Sequence, residues 1–201
     1  MNLNMVCLDL EGTLAPELWV ELARATGIKE LERTTRDEPD FGKLMRYRMD
    51  ILQHNKLTMD EIQSVLRQVE PMDGAKEFLD EVRSLSQTIF VSDTFEQFAK
   101  PVMEKLGMPI IFCNRFKVDD QGYISDYRIR CTPSKPVTVM ALRACGFETI
   151  AAGDSYNDLG MIRLSKAGWL FRSTEAIKAE NPDIPALETY EDLLAGIKDA
   201  L

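Results

Sequence analysis

The sequence predicts an α/β fold, a doubly wound parallel sheet with a helical insertion, and three observations carry that expectation. Four short apolar runs are continuous rather than alternating: Met5-Val6-Cys7-Leu8, Thr88-Ile89-Phe90-Val91, Pro109-Ile110-Ile111-Phe112 and Thr149-Ile150-Ala151-Ala152. Continuous runs of this length are the pattern of strands buried on both faces. Each run ends at a polar or turn cluster, and segments of helical spacing lie between them, as right-handed crossovers require. At 201 residues the chain suits one domain, or one core with a modest insertion.

The elements follow in order. Phe78, Leu79, Val82 and Leu85 recur at helical spacing before the Thr88 strand. Phe98, Val102, Met103 and Leu106 recur after it, with Gly107 as a stop signal. Val137, Met140, Ala141 and Leu142 form another helical pattern, ended near Gly146, and Gly168-Trp169-Leu170-Phe171 is a fifth strand candidate. Two segments break the alternation. Residues 16–70 are mostly helical in pattern and hold no strand candidate, too much chain for a simple crossover. They are expected to form a small helical cap, leaving 1–15 and 71–201 as the α/β core. Residues 116–131 read as two strands around a glycine-containing turn, a β-hairpin insertion.

Composition narrows the function classes. The net charge of −9 argues against a nucleic-acid partner, because phosphate backbones attract basic surfaces. It leaves a small phosphorylated substrate open, since a bound divalent cation and a few local cations reverse the potential within one pocket. Cys7, Cys113, Cys131 and Cys145 have no paired or zinc-like spacing, so reduced thiols are expected. The N-terminus has no secretory pattern, and no apolar run approaches the roughly 18 residues of a bilayer span. The expected location is the cytoplasm, with no membrane partner. His54, the only histidine, sits in a polar segment and reads as a surface residue. Trp19, beside Leu18, Leu22 and Ala23, reads as cap packing.

In open α/β sheets ligands bind beyond the carboxyl ends of the strands. Those ends here carry Asp9 and Glu11, then Ser92 and Asp93, then Asp154, Asn157 and Asp158, while Lys135 opens a helix in Pro133-Ser134-Lys135-Pro136. Singly, each has an ordinary reading as a cap, a turn or a solvated charge. Together, carboxylates at two strand ends, a hydroxyl at a third and one lysine are the parts of a metal-assisted phosphoryl transfer. Mg2+ takes one or two protein carboxylates with substrate phosphate and water, and Asp9 and Asp154 can supply them. Asp9 can also attack phosphorus, since aspartate is a covalent phosphoryl acceptor. Lys135 would neutralise both Asp9 and the phosphate. Ser92 and backbone N–H groups around Glu11, Gly12 and Asp93 would hold the remaining phosphate oxygens. Glu11 is suited to protonating the leaving oxygen and later deprotonating the acceptor.

Asp-Leu-Glu-Gly-Thr, Val-Ser-Asp-Thr, Ser-Lys-Pro and Gly-Asp-Ser-Tyr-Asn-Asp, in this order, resemble the four motifs of the haloacid dehalogenase superfamily, from Met5 to about Leu194. The resemblance implies a Rossmann-like core and an aspartyl-phosphate mechanism, with Glu11 and Asp158 joining Asp9 and Asp154 around the metal. Within the superfamily the chain is similar to phosphoserine phosphatases. That family's cap carries an acid for the substrate ammonium, an arginine for its carboxylate and an aromatic residue; Glu17, Arg48 and Phe41 fall at the matching positions, and Asn157 joins the substrate contacts. Two positions depart from the pattern. Asp93-Thr94-Phe95 stands where glycine usually follows the serine, and Glu11 stands where a second aspartate is usual. A longer carboxylate moves its oxygen by about one bond, and misplacement by ~1 Å can cost ~100-fold. Asp-Leu-Glu-Gly-Thr-Leu is similar to a subgroup of phosphoserine:homoserine phosphotransferases, which pass the phosphoryl group to homoserine or to water. Three readings stay open beside that one: a plain phosphoserine phosphatase, a phosphatase for another small metabolite, and a phosphate-binding module without turnover.

Overall fold

The computed structural model describes residues 3–35 and 37–201. Seven strands form one sheet: β1 (Leu3–Leu8), β2 (Gln87–Phe95), β3 (Ile111–Val118), β4 (Ile124–Arg128), β5 (Phe147–Gly153), β6 (Ala167–Phe171) and β7 (Ala186–Leu187), in the order β4-β3-β2-β1-β5-β6-β7. All neighbours are parallel except β3 and β4, which form the antiparallel edge. The order reverses at β1: the chain runs outward from it through β2, β3 and β4, then returns to place β5 on its other side. Asp9 therefore emerges at the switch point where such sheets open a crevice.

Alternation along β1 shows why its run is continuously apolar. Val6 and Leu8 enter one hydrophobic cluster, with α4 (Ala75–Leu85), α5 (Glu96–Lys105) and α9 (Tyr190–Ala200). Met5 and Cys7 enter a second, with α6 (Ser134–Ala144), α7 (Leu159–Leu164) and α8 (Glu175–Glu180). A strand covered on both faces has no polar side to show. Between β1 and α4 lie α1 (Leu18–Thr26), a 3-10 turn (Lys29–Glu32), α2 (Phe41–His54) and α3 (Met59–Leu66), with no strand among the described residues. These helices extend the first cluster: Trp19, Met45 and Ile62 belong to it together with Phe78 and Phe98. Asp40 caps α2 by accepting from Lys43 N, and Thr58 and Glu61 form a capping box at α3.

The expected third strand and hairpin differ in detail from what is observed. Pro109 and Ile110 lie outside any strand, and β3 runs unbroken from Ile111 into the hairpin's first arm. The run expected to be doubly buried at 109–112 is covered only in part: Pro109 is buried, while Ile110 is 62% and Phe112 37% accessible. Burial in α6 is also rotated. Thr138 and Val139 face inward while Met140 is 51% exposed, because Ser134 and Lys135 at its first turn must point into the crevice and fix the helix's roll. Leu85, at the last turn of α4, is exposed.

Candidate active site

The loop after β1 folds back on itself. Gly12 N–H donates to Ala15 O at 2.8 Å, and Leu14 and Ala15 N–H both reach Leu10 O. Gly12 sits at φ +78°, and a Cβ there would stand 2.5 Å from Asp154 Oδ2, so only glycine lets the two loops meet. Asp9 is buried, with its N–H donating to Ala152 O at 3.0 Å and its Oδ1 accepting from Leu10 N–H at 2.8 Å.

Lys135 is buried against this carboxylate. Its Nζ is 2.8 Å from Asp9 Oδ2, 2.6 Å from Asp158 Oδ1 and 3.3 Å from Asn157 Oδ1. Burial alone would lower its pKa, but Asp158, Asp9 and Asp93 outweigh that and raise it, so the ammonium stays charged. Burial first, and then Asp158 and Asp154, drive the Asp9 pKa well up despite Lys135. The Asp154 pKa is pushed up to about 7 by burial, Asp158 and Glu17.

Asp9, Asp154 and Asp158 bring carboxylate oxygens within 4.8 Å of one another. At that separation each like-charged pair costs about 3–4 kcal/mol at an effective dielectric near 20, more than one shared lysine offsets. An all-oxygen, triply acidic site with a glycine wall fits a hard divalent cation such as Mg2+. Asp158 is the member most committed elsewhere. Oδ1 takes Lys135, and Oδ2 accepts Ser155 N–H at 3.0 Å and Ser155 Oγ at 3.2 Å. Asp9 and Asp154 are thus the freer ligands, with Asp158 holding Lys135 in place. Glu11 is outside this trio. Its Oε1 accepts Leu18 N–H at 2.8 Å, at the first turn of α1, which turns the carboxylate toward the helical segment. Burial and then Glu17 raise its pKa to about 7, with Leu18 N–H and Arg48 partly opposing.

Other expected residues arrive at the same place in different states. Ser92 is buried, its Oγ accepting Thr94 N–H at 3.3 Å. The Asp93 carboxylate is taken by Ser134 Oγ and by Asn157 Nδ2 at 2.9 Å, so backbone is what Asp93 has left for a phosphate. Asn157 also accepts Ser155 Oγ at 2.6 Å; it ties Lys135 to Asp93 and has little capacity left for substrate. All these residues, with Glu17, Phe41 and Arg48, line one cavity of about 850 Å³. Arg48 is buried, and its Nη2 donates to Arg33 O at 2.8 Å. Among the described residues its buried Nε has no partner. Burial lowers its pKa to about 10, with Glu11 and Glu17 opposing, so it remains a cation at neutral pH. Glu17 is exposed on the cavity wall, and Phe41 packs edge-on against Tyr127 of β4.

Sequence reasoning missed two braces. Asn114, buried in β3, donates Nδ2–H to Asp93 O at 2.8 Å and accepts Arg130 N–H at 3.0 Å through Oδ1. An amide in an otherwise apolar run was its signal. Ser134, read only as motif context, fixes Asp93.

The haloacid dehalogenase-like hydrolase pattern matches residues 6–163, which takes in the Asp9, Ser92, Lys135 and Asp154 segments together. The chain belongs to the haloacid dehalogenase-like hydrolase family. It is 42% identical over 191 residues to "Phosphoserine phosphatase ThrH" of Pseudomonas aeruginosa, covering 95% of this chain and 93% of that protein. It is 40% identical to a phosphoserine phosphatase of Pseudomonas syringae, over 94% of this chain and 80% of the relative. Among solved structures, a substrate-bound phosphoserine phosphatase complex superposes with a TM-score of 0.78 at 23% identity, over 94% of this chain and 95% of that one. That likeness shows the shared α/β fold. Among the described residues, no helix is long and apolar enough to cross a membrane.

Proposed function

We propose that this hydrolase is a Mg2+-dependent phosphoryl-transfer enzyme acting on phosphoserine through an aspartyl phosphate on Asp9, with homoserine and water as acceptors. One observation carries the reading. A single cavity is lined both by the Asp9–Lys135 pair and by Glu17 and Arg48, a charge set complementary to a phosphorylated amino acid. The names of the relatives support the donor, and Glu11 supports the choice of acceptor.

Mg2+, held by Asp9 and Asp154, would supply positive charge for the transferring phosphate. Lys135 opposes the protonation of Asp9 that burial favours, so that with the cation's charge beside it the carboxylate would be ionised, and it faces the incoming phosphate. An Asp9 oxygen attacks phosphorus as the serine C–O–P ester loses its P–O bond. Glu11, with a pKa near neutrality, gives its proton to the departing serine oxygen. The second half reverses these roles. Glu11 takes the proton of water or of the homoserine hydroxyl, whose oxygen attacks phosphorus and frees the Asp9 carboxylate. Residues 16–70 act as the cap: their Glu17, Phe41 and Arg48 complete the cavity, and whatever nucleophile they admit receives the phosphoryl group.

The deciding assay follows phosphoserine consumption with Mg2+, with and without homoserine, measuring free phosphate and phosphohomoserine together. We expect phosphohomoserine at the expense of free phosphate. Excess homoserine that diverts no phosphate would leave a plain phosphatase. Asp9→Asn serves as the control and should cost about 10⁴- to 10⁶-fold, the scale of losing a nucleophile or its partner.

A further inference from the structure

We propose that Trp19 is a positioning residue for substrate selection, holding the Arg48 guanidinium in the plane that receives the substrate carboxylate. The inference rests on the reading of Arg48 given above and extends it to a residue that touches Arg48 from beneath.

The Arg48 Cζ lies 4.4 Å from the Trp19 ring centroid. Trp19 is itself 5% exposed, and its ring packs 4.6 Å from Phe98 of α5 and 6.4 Å from Phe116 of β3, in one hydrophobic cluster with them. Arg48 belongs to α2, so the indole joins a cap cation to the α/β core. The guanidinium also donates Nη2–H to Arg33 O. Among the described residues its buried Nε has no partner, while Arg48 and Trp19 both line the cavity. A buried cation with an unused donor is costly unless a ligand completes it. A carboxylate meeting the guanidinium edge-on through paired N–H groups would do so, and that geometry needs the plane fixed. An aromatic ring lying against the guanidinium restricts how it can turn; a point charge does not.

The recognition chemistry separates from the phosphoryl chemistry in a pair of substrates. Phosphoserine and phosphoethanolamine share the phosphate ester and the ammonium and differ in the carboxylate. Comparing kcat/KM for the two measures what the carboxylate contributes. Trp19→Leu should raise KM for phosphoserine about ten- to thirty-fold, the range carried by a desolvated cation–π contact, with kcat nearly unchanged. It should leave phosphoethanolamine within about two-fold, since a contact absent from that complex has nothing to lose. Trp19→Phe keeps a ring beneath the guanidinium and should recover most of the preference. Arg48→Ala provides the reference. If it fails to collapse the preference for phosphoserine, the carboxylate reading of Arg48 is wrong. If it collapses the preference while Trp19→Leu lowers both substrates equally or neither, the positioning role of Trp19 is overturned. Should Trp19→Leu not fold, Trp19→Met, which also removes the ring, is read by the same ratio, and an unchanged ratio there overturns the proposal.

Discussion

Gly12 and Asp154 illustrate how closely two loops must approach for this chemistry. The positive φ of Gly12 and the carboxylate against its α-carbon are separate demands on one residue, and each excludes a side chain. Gly12→Ala should therefore act twice. The left-handed conformation costs about 1–2 kcal/mol for any L-residue, and the added methyl group displaces Asp154. The expected outcome is a lower melting temperature together with weaker Mg2+ binding, read as the Mg2+ concentration that half-maximally shifts melting. A destabilised variant with unaltered Mg2+ dependence would mean that Asp154 is not a ligand. Gly153 stands in the same relation to Asp158, where a Cβ would come 2.5 Å from Oδ1. Two carboxylates of the segment after β5, Asp154 and Asp158, are thus seated against glycines.

At the scale of elements, the nucleophile loop is held by the C-terminal helix, 177 residues away in sequence. Tyr190, in the first turn of α9, donates its hydroxyl to Thr13 O at 2.7 Å in a buried setting. Its ring stacks on Phe78 at 4.8 Å and on Phe171 at 5.2 Å. Tyr190→Phe keeps those stacks and strands the Thr13 carbonyl, which costs about 1–3 kcal/mol for a buried acceptor. We expect lower thermal stability and a drop in kcat that is the same for every phosphate ester, since the contact supports the nucleophile loop and not the substrate. A substrate-dependent effect would contradict this. Such a bond was not legible in the sequence. The strands were, because continuous apolar runs report burial on both faces, and so were the three polar clusters at their carboxyl ends. What periodicity lacked was roll and reach. It placed Met140 inward and Lys135 only by its motif, whereas the buried Lys135 sets the roll of α6. It also read the run at 109–112 as doubly covered, because apolarity alone does not distinguish a covered strand from a half-exposed one. Trp19 was read as packing for the same reason: its stack on Arg48 joins residues 29 apart, and helical spacing reports only neighbours three and four apart.

For the whole molecule, the concentration of acids in the crevice links folding to pH and to Mg2+. A folded state that raises a carboxyl pKa binds its proton more tightly than the unfolded chain does. The stability so gained is full below the unfolded pKa and is lost as pH rises through the folded one. For Asp154 that window runs from its ordinary 3.8 to about 7, and for Glu11 from 4.5 to about 7. Asp9 shifts in the same direction, again with burial as the largest cause. Metal-free protein should therefore lose stability as pH rises from about 4.5 to 7. The net charge of −9 adds to the trend, since deprotonation loads more negative charge onto an already anionic chain. A divalent cation at Asp9 and Asp154 reverses the sign locally, because it binds the ionised form and displaces protons. Melting temperatures in a chelator should fall across that window, and excess Mg2+ should restore the loss most strongly at pH 7 and above. Calorimetry near pH 6.5 in two buffers of different ionisation enthalpy should register protons released on Mg2+ binding. Equal stabilisation by Mg2+ at pH 5 and pH 8, without proton release, would place the cation away from these carboxylates.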